Sequence, residues 1–321
     1  MGFEDIFGSL VEALTEITSG THLLYLIGGV MMGLVVGIFP GLGGIVGLSL
    51  LLPFLYGMDP TSALAMLIGL VAIIPTSDTF TSVLMGIPGS SASQATVLDG
   101  FPLAKKGEAA RALGAAFSAS MFGGLIGVVI LTVVIVVARP VILSFTSAEL
   151  FMLTILGLSM VGVLAGNSLH KGLLGAGLGL LFGALGGAPA TGEYRMAFDS
   201  PYLGDGLPLV VIGLAMFAVP EIIDLLRAGG SISRTQALGH GWMRGLKDMW
   251  LYKWLCVRCA GLGVLIGALP GLGGSVVDWI AYGHAKQTVK DASQFGKGDI
   301  RGVLAPESAN NAKEGGGLIP T

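Results

Sequence analysis

The chain has 321 residues, of which 53% are hydrophobic and 12% are charged, and its formal net charge is −3. Soluble domains carry about 25% charged residues, so this composition excludes a single water-soluble domain. Charge-free runs at 112–138, 150–169 and 172–192 are each long enough for a membrane-spanning helix. They are too uniformly apolar for barrel strands, which alternate between the two faces. The predicted fold class is therefore all-α, a polytopic helical membrane protein.

In chain order, the first predicted element is an amphipathic segment over 1–21, with a helix at 3–18. This helix lies either at the membrane surface or packed on the protein itself. Further apolar segments follow it, and several are too short to cross a membrane alone. They lie at 22–39, 42–56, 61–75, 79–87, 110–138, 149–166, 172–187, 207–226, 254–269 and 272–283.

The positions of Lys and Arg predict an orientation and a domain organisation. Positive charge is concentrated in 88–111 and in 227–258, and positively charged loops stay in the cytoplasm. We therefore expect a basic cytoplasmic loop at 227–253 and an N-terminus on the outer side. The predicted order is the N-terminal segment at 1–21, a first transmembrane repeat with connecting spans at 22–226, the loop at 227–253, and the incomplete start of a second repeat at 254–321.

Glycine recurs every four residues in three parts of the chain. This spacing places small residues on one helical face and lets helices approach closely in lipid. We predict helix packing as the role of most of these glycines. The three series are Gly29, Gly33, Gly37 and Gly41; Gly175, Gly179, Gly183 and Gly187; and Gly263, Gly267 and Gly271.

An internal repeat is the most informative feature of the sequence. Residues 33–44 read GLVVGIFPGLGG and residues 263–274 read GVLIGALPGLGG, with seven of twelve positions identical. Proline removes a helical hydrogen bond, and glycine permits other backbone conformations, so each copy should interrupt a helix. A single such break is as readily a structural kink, but paired breaks are typical of transporter binding sites. The predicted substrate-binding residues of the breaks are Pro40, Gly41, Gly43, Gly44, Pro270, Gly271, Gly273 and Gly274.

Each break also predicts the chemistry of a ligand. The helix that follows it begins with unpaired N–H groups and a positive dipole end, which favours an anion such as a carboxylate. The first copy follows the acidic N-terminus and the second follows the basic loop. The two repeats are therefore expected to be inverted relative to each other.

A second polar region interrupts the apolar pattern at 76–79 and 88–91. Asp78 lies within an apolar run, and an ionisable residue there is a functional candidate. The alternative is that Asp78 is an N-cap for the helix after residue 79. The substrate-binding candidates in this region are Thr76, Ser77, Asp78, Pro88, Gly89, Ser90 and Ser91.

The run Pro306-Glu307-Ser308-Ala309-Asn310-Asn311 places one carboxylate and two amides close together. Oxygen ligands of these types suit a hard cation such as sodium. A solvated loop is the competing interpretation. Asp78, Glu307, Asn310 and Asn311 are the ion-coupling candidates, for sodium or for protons.

Signals of enzyme chemistry are weak. Cys256 and Cys259 form a lone C-x-x-C inside an apolar segment, which favours a structural role. The chain has no phosphate-binding G-x-x-x-x-G-K-[ST] and no H-E-x-x-H. We therefore predict that the chain is not an enzyme and has no catalytic residue, metal or cofactor. A nucleic-acid partner is not expected either.

Five stretches resemble the large membrane subunit of the tripartite tricarboxylate transporters, the TctA-like family. They are GIFPGLGG at 37–44, LLPFLYGMDP at 51–60, GIPGSSASQATVLDGFPLAKKGEAARALG at 86–114, ALPGLGG at 268–274 and APESANNAKEGGGLIPT at 305–321. The resemblance implies a carrier in the bacterial inner membrane. Its implied partners are a small membrane subunit and a periplasmic solute-binding protein, and its implied cargo is a carboxylate moved by a cation or proton gradient.

The chain departs from that family pattern in two places. Family members usually continue past Ile-Pro-Thr into further spans, whereas this sequence stops at Thr321, so we expect a C-terminally truncated second repeat. The stretch 74–79 is less rich in glycine than in the family, which suggests different substrate chemistry. The predicted function is a subunit of a secondary importer of organic anions. The alternative is a membrane-embedded enzyme or a scaffold that does not transport.

Overall fold

The fold was analysed in a computed structural model, which is helical almost throughout. The structure describes residues 3–40, 43–90, 92–142, 146–159, 168–188, 191–208, 211–212, 215–216, 219, 223, 240–269 and 274–317. The all-α class expected from composition is confirmed. Apart from its helices, the described part of the chain contains one two-stranded antiparallel ribbon.

The first helices follow the predicted apolar segments closely. The amphipathic helix α1 runs over Phe3–Ile17, close to the predicted 3–18. Within the first half of the chain the remaining helices are α2 (Gly20–Ile38), α3 (Gly43–Leu55), α4 (Pro60–Ser77), α5 (Thr79–Leu84), α6 (Gln94–Lys105) and α7 (Ala109–Ile142).

The second half continues with shorter elements. These are α8 (Ser147–Ser159), α9 (Leu169–Gly183), β1 (Gly186–Gly187), β2 (Tyr194–Arg195), α10 (Pro201–Gly204), α11 (Trp242–Leu251), α12 (Lys253–Gly267), α13 (Gly274–Thr288) and α14 (Arg301–Gly317). The predicted segment 207–226 lies largely outside the described residues. The predicted loop 227–253 contains α11, which meets α12 at an angle of 77°.

Three helical stretches among the described residues are long and apolar enough to cross a membrane. They are Gly20–Ile38, Pro60–Leu84 and Ala109–Val134. Counting the bent pair of α11 and α12 as one span would add a fourth. Many of their large apolar side chains are exposed, as expected for surfaces that face lipid rather than water.

Helices α2 and α4 pack face to face through the first glycine series. A Cβ on Gly29 would lie 2.0 Å from the Met66 carbonyl oxygen, and one on Gly33 would lie 2.4 Å from the Leu70 carbonyl oxygen. No larger residue fits at either position without moving α4. The predicted packing role of these glycines is therefore confirmed.

Helix α14 lies between α7 and α12 and contacts both closely. A Cβ on Gly123 of α7 would lie 2.0 Å from the Ser308 carbonyl oxygen. A Cβ on Gly263 of α12 would lie 2.3 Å from the Ala309 carbonyl oxygen. This close approach buries α14, so the interpretation of 306–311 as a solvated loop is wrong.

The middle glycine series behaves differently. A Cβ added to Gly175, Gly179 or Gly183 would have no heavy atom within 4 Å among the described residues. The predicted packing role is therefore not realised in α9 by any part of the chain that the structure describes.

The two cysteines are buried and reduced, which agrees with the structural role predicted for them. Cys256 and Cys259 have no exposed surface and belong to apolar clusters that join α12 to its neighbours. No group of three or more His, Cys, Asp or Glu side chains that could hold a metal occurs within the described ranges.

Candidate functional site

The site begins where α4 ends and α5 starts. Pro75 lies inside α4 and cannot donate a hydrogen bond to the turn before it, which weakens the helix near its end. Asp78 stands between the two helices with its backbone still in the right-handed helical region. The polar side chains of this junction are buried against neighbouring helices, and Asp78 is only 1% exposed.

Asp78 occupies the N-cap position of α5, as the alternative interpretation predicted, but its side chain makes no capping hydrogen bond to a described residue. Instead its Oδ2 accepts a short hydrogen bond from the Ser90 hydroxyl. Gly89 makes this contact possible, because a Cβ there would lie 2.5 Å from the Cβ of Asp78. The 87–90 turn thus packs directly on the α4–α5 junction.

Glu307 of α14 is the centre of the site. Its Oε1 accepts hydrogen bonds from the hydroxyls of Thr96 at 2.8 Å and Thr79 at 3.1 Å. Its Oε2 lies 2.9 Å from the Ser120 hydroxyl and 3.0 Å from that of Thr79. These three hydroxyls come from α6, α5 and α7, so four helices meet at one carboxylate.

The two asparagines lie one turn further along α14. Asn311 donates from its Nδ2 to the hydroxyl of Thr76 at 3.0 Å, which ties α14 to the end of α4. Asn310 is 1% exposed, and neither its amide nitrogen nor its amide oxygen has a hydrogen-bond partner among the described residues. The Oδ1 atoms of Asp78 and Asn311 are likewise buried and have no partner in the part of the chain that the structure describes. Buried polar atoms without partners are rare, which makes this layer the candidate site.

The last turns of the helices that precede the two predicted breaks lie beside this polar layer. At the end of α2, a Cβ on Gly37 would lie 1.7 Å from the Ser77 hydroxyl oxygen, which neighbours Asp78. At the end of α12, a Cβ on Gly267 would lie 2.3 Å from the Lys313 carbonyl oxygen. Gly37 and Gly267 occupy the same position in the two sequence copies, so each copy packs its last turn on a helix that carries the polar site.

The helices after the breaks begin where the sequence predicts. Helix α3 starts at Gly43 and α13 starts at Gly274, so the predicted Gly43, Gly44 and Gly274 occupy first turns. Pro40 is half-buried in the turn after α2. The other predicted residues at the breaks and in the 88–91 turn lie outside the described residues, namely Gly41, Ser91, Pro270, Gly271 and Gly273.

Sequence reasoning missed Asp278, which is fully buried in α13. Its Oδ2 accepts a hydrogen bond from the backbone N–H of Ala95 at 3.0 Å, at the start of α6. The neighbouring Trp279 donates from its indole Nε1 to the Gln94 side chain at 3.2 Å. A carboxylate four residues after the second break was a signal that could have been used, because α13 was already predicted there.

Asp99 was also missed, and it anchors the 296–300 loop to α6. Its Oδ1 accepts hydrogen bonds from the N–H groups of Gly298 and Asp299, each at 2.8 Å, and its Oδ2 accepts one from the Tyr282 hydroxyl at 2.8 Å. Burial raises the pKa of the Asp99 carboxyl, and these donors oppose the rise because they stabilise the charged form. This loop leads straight into α14, so Asp99 helps to place Glu307.

The comparisons with known proteins agree with the architecture. The model of the tripartite tricarboxylate transporter TctA family matches residues 23–321. An uncharacterized 52.8 kDa protein in the TAR-I ttuC' 3' region of Agrobacterium vitis is 31% identical over 323 residues, which cover 98% of this chain and 63% of that protein. An uncharacterized protein in the TAR-II ttuC' 3' region of the same organism is 43% identical over 58 residues, or 18% of this chain and 24% of that one.

The chain therefore spans less than two thirds of the first relative's length. No solved structure matches it. The family match covers nearly all of the described helices, including both breaks and the residues around Glu307. This chain belongs to the tripartite tricarboxylate transporter TctA family.

Proposed function

We propose that this chain is the membrane subunit of a binding-protein-dependent secondary transporter in the bacterial inner membrane. It imports tricarboxylates or related organic anions at the expense of an ion gradient. Its partners are a small membrane subunit and a periplasmic solute-binding protein. Family membership supports the transport role, and the paired breaks support the class of cargo.

One observation carries the proposal. The last helical turn before each break packs against a helix that carries buried, unpaired polar atoms, through Gly37 on Ser77 and through Gly267 on Lys313. Irregular backbone at membrane depth is tolerated where it lines a cavity or is covered by protein. Helices begin at Gly43 and at Gly274. The N–H groups in the first turn of any helix have no partner within that helix, and such groups suit a carboxylate.

The two sequence copies also support an inverted-repeat architecture. Each copy consists of a glycine-lined helix, a break and a second helix. The glycine face then packs on a later helix with an internal proline, α4 with Pro75 and α14 with Pro306. Opposite charge at the starts of the two copies is the observation that favours inversion.

Uptake of radiolabelled citrate by cells that produce the chain with both partner subunits tests this function. We expect uptake that requires the binding protein, and Gly37→Leu should abolish it because the side chain would push α2 away from Ser77. Gly175→Leu is the matched control, since a Cβ there meets no described atom within 4 Å. A scaffold that does not transport would leave uptake unchanged in both variants. A panel of other di- and tricarboxylates then defines the cargo.

A further inference from the structure

The buried carboxylates of this protein differ in the kind of donor that faces them. Asp278 accepts hydrogen bonds from the backbone N–H groups of Ala95 and Trp279. Asp99 accepts two from the backbone N–H groups of Gly298 and Asp299, beside one from the Tyr282 hydroxyl. A backbone N–H can only donate, so it favours the charged form of the carboxylate. Around these two groups, the backbone donors stabilise the charged form and oppose the effect of burial.

Glu307 is surrounded in another way. Within the described residues, every hydrogen bond to its carboxylate comes from a hydroxyl, that of Thr79, Thr96 or Ser120. A hydroxyl can donate or accept, so it can reverse its direction when its neighbour changes protonation state. The ionised carboxylate accepts hydrogen bonds from all three hydroxyls. The protonated carboxyl donates a hydrogen bond to one hydroxyl and accepts hydrogen bonds from the other two. The same atoms satisfy both forms without moving.

The balance of charge around Glu307 favours a bound proton. Neither Glu307 nor Asp78 forms an ion pair with any described Lys, Arg or His. Lys313, on the same helix as Glu307, has its ammonium paired with Glu314. Removing a charge from water is unfavourable when no partner compensates it. A protonated carboxyl that is hydrogen-bonded avoids most of that cost.

The neighbouring groups add to this effect. Asp78 directly precedes Thr79, and its Oδ1 is buried with no partner among the described residues. Asn310, one turn from Glu307, has a buried amide, and no described residue forms a hydrogen bond with either of its polar atoms. Two neighbouring buried carboxylates disfavour each other's charge. Helices α4 and α5 carry no titratable side chain, and Asp78 lies at the junction between them. Among the described residues, the titratable side chains of the other surrounding helices are Asp99 and Lys105 on α6, Arg111 on α7 (paired with Glu108 and Asp248), Lys253, Cys256, Arg258 and Cys259 on α12, Asp278, Tyr282, His284 and Lys286 on α13, and Arg301, Lys313 and Glu314 on α14.

We propose that Glu307 is a proton-binding site and that the proton it binds is the coupling ion of transport. An O–H bond forms at one carboxylate oxygen with a proton taken from water on the side of higher proton concentration. The bond breaks when the proton returns to water on the other side, so one positive charge crosses with each cycle and nothing is oxidised or reduced. Thr79, Thr96 and Ser120 are positioning residues that hold the carboxyl in both states. The coupling step rests on the proposed transport function, whereas proton binding by Glu307 does not.

Infrared spectroscopy on the full chain reconstituted in lipid tests the binding step without transport. With the glutamates labelled with ¹³C at the side-chain carboxyl, a labelled protonated-carboxyl C=O band should persist at neutral pH, where exposed glutamates are ionised, and it should disappear at alkaline pH. Glu307→Gln should remove that band, and Asp278→Asn should leave it in place. A wild-type spectrum without a labelled protonated carboxyl at neutral pH would overturn the proposal, and this reading needs no variant to fold.

Transport by the complete complex tests the coupling step. A proton gradient alone should drive substrate accumulation in the wild type. Glu307→Gln, which imitates the protonated form, should keep exchange of labelled for unlabelled substrate and lose accumulation. Accumulation driven by a sodium gradient and indifferent to the proton gradient would overturn the coupling role. If the wild-type complex moves no organic anion at all, the transport function itself fails, and the infrared result still decides whether Glu307 binds a proton.

Discussion

The Thr79 hydroxyl lies 3.1 and 3.0 Å from the two carboxylate oxygens of Glu307, although 228 positions separate the residues in the chain. This contact joins the α4–α5 junction to the buried helix α14. It brings the two polar regions of the sequence together in one layer, against which the last turns of α2 and α12 pack through Gly37 and Gly267.

Replacing Thr79 with Val should destabilise the protein by roughly 1–3 kcal/mol, because a buried carboxylate loses a donor that the isosteric side chain cannot replace. Thr79→Ser keeps the hydroxyl and should cost far less. The free energy of unfolding in detergent, measured for both variants against the wild type, checks this. Equal stability of the Val and Ser variants would show that the hydroxyl has no energetic role.

Adjacent glycines on α7 offer a sharp test of the α7–α14 packing. Gly123→Ala should destabilise by roughly 1–3 kcal/mol, because its Cβ would lie 2.0 Å from the Ser308 carbonyl oxygen and would push the two helices apart. Gly124→Ala should be neutral or stabilising by roughly 0.5–1 kcal/mol, since its Cβ meets its nearest neighbour at 3.9 Å and alanine is the better helix former. The midpoints of thermal unfolding of the two variants, compared with that of the wild type, test this prediction. Similar midpoints for the two variants would contradict the packing.

Removing the Tyr282 hydroxyl should raise the pKa of Asp99 further. That hydroxyl is one of the donors that oppose the effect of burial, so Tyr282→Phe leaves the charged form less stabilised. The loss of the hydrogen bond should also cost about 1 kcal/mol of unfolding free energy. Tyr202→Phe is the control, because Tyr202 is 90% exposed. Carbon NMR of labelled aspartate across a pH titration measures the shift, and an unchanged or lower Asp99 pKa would refute it.

The start of α4 should be sensitive to pH through Asp59. Its carboxylate accepts a hydrogen bond from the Ser62 backbone N–H at 2.9 Å, and this bond holds the pKa of Asp59 below its usual value. A group with a lowered pKa in the folded state stabilises the protein above its unfolded pKa. That stabilisation is lost as the pH falls through the folded pKa.

Unfolding of the Asp59→Ala variant measures this contribution. The variant should be less stable than the wild type at neutral pH, and the difference should shrink in acid. Asp59→Asn should keep the cap at every pH, since an amide oxygen also accepts from Ser62. A difference between wild type and Ala variant that does not change with pH would contradict the role of the charge.

Several features could be predicted from local sequence because local physics controls them. The apolar runs became helices, since lipid leaves a backbone no other way to satisfy its hydrogen bonds. Helices α3 and α13 start at Gly43 and Gly274, where the sequence pattern of proline and glycine disfavours a continuous helix. Gly29 and Gly33 pack on α4 as their spacing indicated.

Other predictions failed where a distant contact decided the outcome. Asp78 has the sequence position of an N-cap, yet Ser90 competes successfully for its side chain. The polar run at 306–311 looks like a solvated loop, yet small residues on α7 and α12 let α14 enter the interior. The same four-residue spacing of glycine that packs α2 leaves α9 without a described neighbour, because spacing says nothing about whether a partner helix exists.

By itself, the sequence determined the class of protein, the places where its helices break and the polar residues that interrupt its apolar segments. These follow from hydropathy and from the backbone limits of proline and glycine, which act over a few residues. Only the tertiary structure decided that Thr79, Thr96 and Ser120 converge on Glu307, since that depends on how four helices pack. The nature of the donors around each carboxylate, hydroxyl at Glu307 and backbone N–H at Asp278, is likewise a product of packing, because no local pattern encodes which helix a side chain will meet.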